Sequence, residues 1–306
     1  MAKRPTLEEQ LQGLAACEEN AFDAPAAERL QRALRGRSGL LIARAARVIL
    51  ARRLSDWVPE LVAAFDRLCQ DGAKRDPQCR GKLAIVEVLH ELGCHEASLL
   101  QTALGYQQWE PVYGGSVDTA GELRGNAAVA VVAEPTVDSR FLVQPLLVDH
   151  DARTRVLAVR ALTLLGGEAS ECLLRHCLLA GEPDQEVVGE LCGGLVDLDA
   201  ERAAAFLADW VIADHPVIGA EAALALGQSR HPDAVPVLRQ AYERRHLIAD
   251  RGTVLVALFL LRREEVIDWL VEEYRQADRR LADLFEQTLS TLGDAALCAR
   301  FGWSPS

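Results

Sequence analysis

Aromatic residues are scarce in this 306-residue chain, at 5% of positions against 50% hydrophobic overall, and there is a single methionine. Its apolar content is mainly Leu and Ala, a balance that favours helix over sheet. No run approaches the roughly 20 apolar residues that a membrane-spanning helix requires. The opening MAKRPTLEEQ turns polar and acidic where a signal peptide would carry its apolar stretch. Positive charge is in deficit, with 33 Lys+Arg against 45 Asp+Glu and a net charge of −12. Binding along a nucleic-acid backbone needs the opposite potential and is disfavoured. The eight cysteines (Cys17, Cys69, Cys79, Cys94, Cys172, Cys177, Cys192 and Cys298) include no CxxC pair. Reduced, buried thiols in a cytoplasmic protein are expected. Nucleophile elbow, phosphate loop and dinucleotide fingerprint are all missing, so the sequence names no reaction.

What is present is a succession of helix patterns. In TLEEQLQGLAACEENAF, Leu7, Leu11 and Leu14 keep a 3–4 spacing, and Thr6 with Glu9 has the spacing of a capping box. A second helix follows Pro25, a first-turn residue, and ends near Gly36. A third spans 38–54, and Ser55-Asp56 caps a fourth that runs to about Gln70. Farther on, Gly93, Gly166, Gly227 and Gly293 each follow a Leu and read as left-handed helix ends. The last three are 61 and 66 residues apart, and each gap holds two units of about 30–33 residues, the size of a helix pair in a solenoid. The units are placed at 24–54, 55–93, 94–134, 135–167, 168–200, 201–230, 231–263 and 264–294. Residues 1–23 form an N-terminal capping helix, and 295–306 a C-terminal cap in which Phe301 and Trp303 cover the last unit. In the fourth unit Leu157, Ala161 and Leu164 form one stripe, while Arg153 and Arg160 share another face.

A helix with an Asp-turn-Arg-rich start that ends in Ala-Leu-x-x-Leu-Gly resembles HEAT repeats, including the HEAT-like repeats of phycobilisome lyases. The segments CRGKLAIVEVLHELG (79–93) and EPVYGGSVDTAGELRG (110–125) resemble a subgroup of bacterial HEAT-repeat proteins of unassigned activity. The resemblance covers about residues 24–294. It implies an all-α, right-handed solenoid of about eight helix pairs (an armadillo/HEAT-like superhelix), with second helices lining the inner surface. It also implies an interaction scaffold.

The pattern breaks at 106–125, YQQWEPVYGGSVDTAGELRG. About a dozen residues separate the two helices of the third unit, more than the usual two to eight. Pro111 stops a helix, and Gly114-Gly115 permits positive φ. The second helix is placed from near Asp118, with Thr119 and Glu122 as its capping box, and its first-turn N–H groups beside Ser116 and Thr119 form a possible anion site. Trp109 and Tyr113 either fold back to seal the groove between units three and four or grip a partner.

Two ligand-like groups are weighed. Glu91 and His95 are four apart at a helix end, but the distributed His-Glu dyads of deoxyhypusine hydroxylases are not repeated, and His90 falls on the polar side between Lys82 and Glu87. Cys172 and His176 are also four apart, with Cys177 adjacent, and read as core positions. The first 55 residues carry ten Lys/Arg against six Asp/Glu, a net +4. Arg29, Arg32, Arg35, Arg37, Arg44, Arg47, Arg52 and Arg53 then read as a solvated face, partly paired with Glu28 and Asp56.

The expected function is a non-enzymatic protein–protein interaction scaffold that uses the concave face and the 106–118 insertion. Its binding residues are Tyr106, Trp109, Tyr113, Gly114, Gly115, Arg124, Arg153 and Arg160. No catalytic residue, metal or cofactor is assigned. The partner is another protein, and no membrane is involved. The alternatives are a bilin-lyase-like chaperone that holds a tetrapyrrole and a metal-dependent oxidoreductase of the deoxyhypusine hydroxylase type. DNA binding through the basic end ranks below both.

Overall fold

The computed structural model describes residues 5–19, 22–245 and 247–303. It is an all-α helical-repeat protein with one small hairpin, and it divides into two compact units, Met1–Leu165 and Gly166–Ser306. The expected tail 295–306 falls partly outside the described residues, as do the ends of the expected first helix.

The first unit begins with α1 (Leu7–Glu19). The Thr6 N–H donates to Glu9 Oε2 at 2.7 Å and the Glu9 N–H to Thr6 Oγ1 at 3.2 Å, the reciprocal box read from the sequence. Next come α2 (Ala24–Leu34), capped by Asp23 with Pro25 in its first turn, and α3 (Gly39–Ala51). α4 (Val58–Cys69) and α6 (Arg80–Glu91) are joined through a four-residue turn of helix, α5 (Gly72–Arg75). α7 (Ala97–Leu104) and α8 (Gly121–Ala133) flank the hairpin β1 (Trp109–Val112) and β2 (Gly115–Asp118). α9 (Ser139–Val143) runs into a 3-10 turn before α10 (Ala152–Leu165). The second helices α3, α6, α8 and α10 pack side by side as one layer. Their facing residues, including Ile42, Ala46, Ile85, Leu89, Ala127, Ala128 and Leu162, are fully buried. In α10, Leu157 and Ala161 are buried, but Leu164 of the expected stripe is exposed.

In the second unit the pairs are α11 (Gly167–Ala180) with α12 (Gln185–Leu198), and α13 (Ala200–Ile212) with α14 (Ile218–Ser229). α15 (Ala234–Arg244) follows with α16 (Gly252–Leu260), then α17 (Glu264–Gln276) with α18 (Arg279–Leu292), and α19 (Ala295–Arg300) ends the chain. α12, α14, α16 and α18 are successive neighbours.

Gly93 and Gly293 have positive φ (69° and 64°) and end α6 and α18 as expected. Gly227 does not. It lies inside α14, whose left-handed end residue is Arg230 (φ 53°). A Cβ at Gly227 would stand 2.4 Å from the Ala257 carbonyl oxygen, so this glycine lets α14 approach α16.

Among the described residues no helix is long and apolar enough to cross a membrane.

Candidate functional site: a hairpin on a buried ionic root

The irregular stretch folds as a two-stranded antiparallel hairpin, in the register Trp109–Asp118, Glu110–Val117, Pro111–Ser116 and Val112–Gly115. Gly114, at φ 88°, holds the turn conformation that a side chain disfavours. Pro111 is tolerated because each strand of a two-stranded ribbon is an edge strand. α8 starts at Gly121, after the hairpin, three residues beyond the start expected at Asp118.

The expected capping box is not formed. Thr119 Oγ1 donates instead to Glu110 Oε1 (2.8 Å) and the Gln108 carbonyl oxygen (3.3 Å). Asp118 Oδ1 accepts the Ala120 N–H (3.0 Å) and the Gln108 N–H (2.9 Å), both ahead of the first turn of α8.

Below the strands lies a set of buried charges. Lys82 and Asp76 are both fully buried, and Lys82 Nζ donates to Asp76 Oδ2 and to Gln108 Oε1, each at 3.0 Å. The same ammonium lies 4.9 Å from the centre of the Tyr106 ring. Asp76 also accepts the N–H groups of Gly81 (2.6 Å) and Lys82 (3.0 Å), so it caps α6 while binding its lysine. Gln108 returns from the hairpin to donate to the Asp76 carbonyl oxygen (2.9 Å) and Glu110 Oε1 (2.6 Å). Glu110 also accepts the N–H of Gln78 at 2.6 Å. Gln78 and Cys79 are consecutive non-glycine residues at positive φ (59° and 54°), so the hairpin clamps a strained turn.

Arg124 ties the hairpin to the next pair. It is 3% exposed, and its Nε and Nη2 meet Asp149 at 2.7 and 2.9 Å. Its Nη1 donates to Asp118 (2.6 Å) and the Tyr106 carbonyl oxygen (2.9 Å). Burial alone would raise the Asp118 carboxyl. The N–H groups of Gln108 and Ala120 and the Arg124 guanidinium outweigh it and hold the group below the usual carboxylate range. His150 lies 3.5 Å from Asp118 and 3.3 Å from Asp149, with its ring stacked on Trp109 at 6.0 Å and 13°.

Above this root the hairpin is apolar and open. Trp109, Val112, Tyr113 and Val117 are 55, 51, 108 and 46% exposed. Tyr113 therefore does not fold back, whereas Trp109 does so in part through its stack on His150, and Tyr106, Gln108 and Asp118 pack beneath the hairpin. Gly72 shows how tightly: a Cβ there would stand 2.1 Å from Gln108 Oε1 and 2.4 Å from the Tyr106 hydroxyl.

The eight residues expected to bind thus separate. Trp109, Tyr113, Gly114 and Gly115 form the exposed hairpin, and Arg153 and Arg160 are exposed on α10. Tyr106 is half-buried and Arg124 buried, so both hold the hairpin and leave the contact surface. Sequence reasoning missed Asp76, Lys82, Gln108, Asp118 and Asp149, and it placed Lys82 on the polar side of α6. A signal was present: Asp76 and Lys82, Asp118 and Arg124, and Asp149 and Arg155 are each six apart.

The remaining candidates lie elsewhere. His90 and Glu91 are exposed and His95 half-buried, and Cys172 is exposed where a core position was expected. Among the described residues no group of three His, Cys, Asp or Glu side chains could hold a metal ion. In the basic end Arg44 pairs with Glu18 at 3.0 Å, and Arg52 and Arg53 donate to the carbonyl oxygens of Cys17 and Glu91.

No family model and no curated protein sequence matches the chain. Among solved structures the chain is similar to human deoxyhypusine hydroxylase in complex with glycerol, at 21% identity. The match covers 85% of this chain and 92% of that one, with a TM-score of 0.32. A likeness of that size bears on neither the site nor an activity.

Proposed function

We propose that the protein is a non-enzymatic protein–protein interaction module that captures its partner through the hairpin at 109–118. The observation that carries this reading is four large apolar side chains standing in solvent on a ribbon whose base is fixed by buried ion pairs. Clustered exposed apolar groups mark contact surfaces, and a rigid aromatic anchor loses little conformational freedom on binding. The HEAT resemblance, with its scaffolding role, supports the reading.

The chemistry of the root supports it too. Burial pushes the Cys79 thiol up to about 12 and the Cys69 thiol to about 11, so both stay protonated near neutrality and are poor nucleophiles. The nearby carboxylates are engaged by N–H donors of the chain itself.

The test is affinity capture from native extract by the wild-type protein and by W109A/Y113A, read by mass spectrometry. The variant is expected to lose the partners that the wild type retains, with its thermal midpoint nearly unchanged. An identical partner set would sink the reading, and a large fall in midpoint would assign the aromatic pair a structural role. Metal analysis and an absorbance spectrum accompany it; stoichiometric iron or a bound chromophore would replace the scaffold by an enzyme or a tetrapyrrole carrier.

A further inference from the structure

The exposed faces of α3, α6 and α8 enclose two adjoining cavities. The first, about 500 Å³, is lined by Leu40, Arg44, Arg47, Arg80, Glu87 and Glu122 among others. The second, about 370 Å³, continues it along the same helices past Leu50, His90, Asn126 and Val129 and shares Glu87. The lining positions recur every three to four residues on each helix, which is how parallel helices present one continuous strip.

Few of the charges along the first cavity have a direct ion-pair partner. Arg44 at its rim is neutralised by Glu18. Among the described residues, Arg47, Arg80, Glu87 and Glu122 take part in no ion pair, although two are basic, two are acidic and all face one space. Arg80 donates only to the Gln78 side-chain oxygen, at 2.7 Å. Glu87 is half-buried. Burial, and then the Glu122 carboxylate, push its carboxyl above the usual range, while Arg47 pulls it back in part. Glu122, on the adjacent helix, raises Glu87, so a cation added there gains from both carboxylates, and an added anion gains from Arg47 or from Arg80.

We infer that this strip receives a segment of a partner protein that carries both signs of charge, with a lysine or arginine seated between Glu87 and Glu122 and separate acidic side chains against Arg47 and against Arg80. The inference rests on the protein-binding role proposed above and names the chemistry of what is bound. A purely anionic occupant would meet the two glutamates, and a purely cationic one the two arginines. Charge complementarity therefore selects the mixed sequence.

The test uses the full chain and three fluorescein-labelled 12-residue peptides: one of Lys-Ala-Ala-Asp repeats, one with every Asp changed to Ala, and one with every Lys changed to Ala. The mixed peptide is expected to bind saturably, more tightly than either control, and less tightly as salt is raised. E87Q/E122Q should weaken it about tenfold, and R47Q/R80Q should weaken it and improve the relative standing of the Lys-only peptide. Circular dichroism melts read alongside confirm that these surface-facing substitutions leave the fold intact. Equal binding of all three peptides, or unchanged binding to E87Q/E122Q, would overturn the inference. W109A/Y113A separates the two ideas. It should bind the mixed peptide normally, so loss of partner capture there and loss of peptide binding here report on different surfaces.

Discussion

Between Met1 and Leu165 the buried charges, Asp76, Lys82, Asp118 and Arg124, are matched to one another inside the protein. Between Gly166 and Ser306 the buried charges among the described residues are Glu171 and Arg245, and their partners reach solvent. Glu171 pairs with Arg175 and Arg202, and Arg245 with Asp214. The second unit instead packs rings: Tyr242 lies edge-on to Trp269 at 5.4 Å, and Phe301 packs on Phe259 and Tyr274 at 5.5 and 5.6 Å. The same helix-pair plan is therefore fixed in two ways. Apolar burial is strong and non-directional, whereas paired buried charges add little net stability but are costly to leave unmatched. A hairpin that must present side chains at a set angle benefits from the second kind of root, because few alternative geometries satisfy every donor and acceptor.

The comparison can be broken by removing one member on each side. R124A strips Asp118 and Asp149 of their common partner and is expected to cost about 3–5 kcal/mol. F285A, in the Phe259–Phe301 cluster, should cost a similar amount, about 3–5 kcal/mol, through the cavity it leaves. Urea denaturation measures both. The two should then diverge with pH, because only R124A removes a group that sets a carboxylate's affinity for protons. If R124A proves neutral, the ionic root is not what holds the hairpin.

Acid should act in the same direction with a smaller effect. The Asp118 and Glu110 carboxyls both lie below their ordinary values; burial opposes the shift in each, and hydrogen bonds outweigh it. A depressed folded-state value stabilises the protein above the unfolded value, about 4 for these groups, and that stability is lost as pH falls through the folded value. Asp199 and Asp294 in the second unit are also held low, chiefly by the backbone N–H groups of Arg202 and Leu297, but they lie at the surface with side chains 34 and 23% exposed, whereas Asp118 is buried. Hydrogen-exchange protection of α8 should therefore fall before that of α14 and α16 as the solution is acidified below about pH 4. Simultaneous loss in both units would remove the distinction.

Helices were legible because their signals are local: Thr6 and Glu9 are three apart, and Pro25 lies in the first turn of its helix. The hairpin was half legible. Its place in the chain and the role of the glycines could be read, but Pro111 argued against a strand, and the alternation around Tyr113-Gly114 spans only four residues on each side. The root was hidden for a different reason. Lys82 finds Asp76 six residues back and Gln108 twenty-six residues on, and a lone lysine on an amphipathic helix is ordinarily solvated. Gly227 was misread because a glycine after Leu at the end of an apolar run looks the same whether it ends a helix or admits a neighbour.

The glycines give the finest form of the comparison. Gly81, at the start of α6, is pressed on backbone: a Cβ would stand 2.9 Å from the Gly39 carbonyl oxygen, 3.0 Å from its Cα and 2.7 Å from a Leu68 methyl. Backbone cannot move aside as a side-chain end does, so G81A should cost about 1–3 kcal/mol and loosen the turn that Asp76 caps. Gly193 is inside α12 with nothing within 4 Å of an added Cβ. There the alanine only lowers the entropy of the unfolded chain, and G193A should gain about 0.5–1 kcal/mol. Thermal midpoints of the two variants measure the contrast directly. A loss at Gly193 would mean that the open face of α12 depends on having no side chain there, as the seam between α3 and α6 does at Gly81.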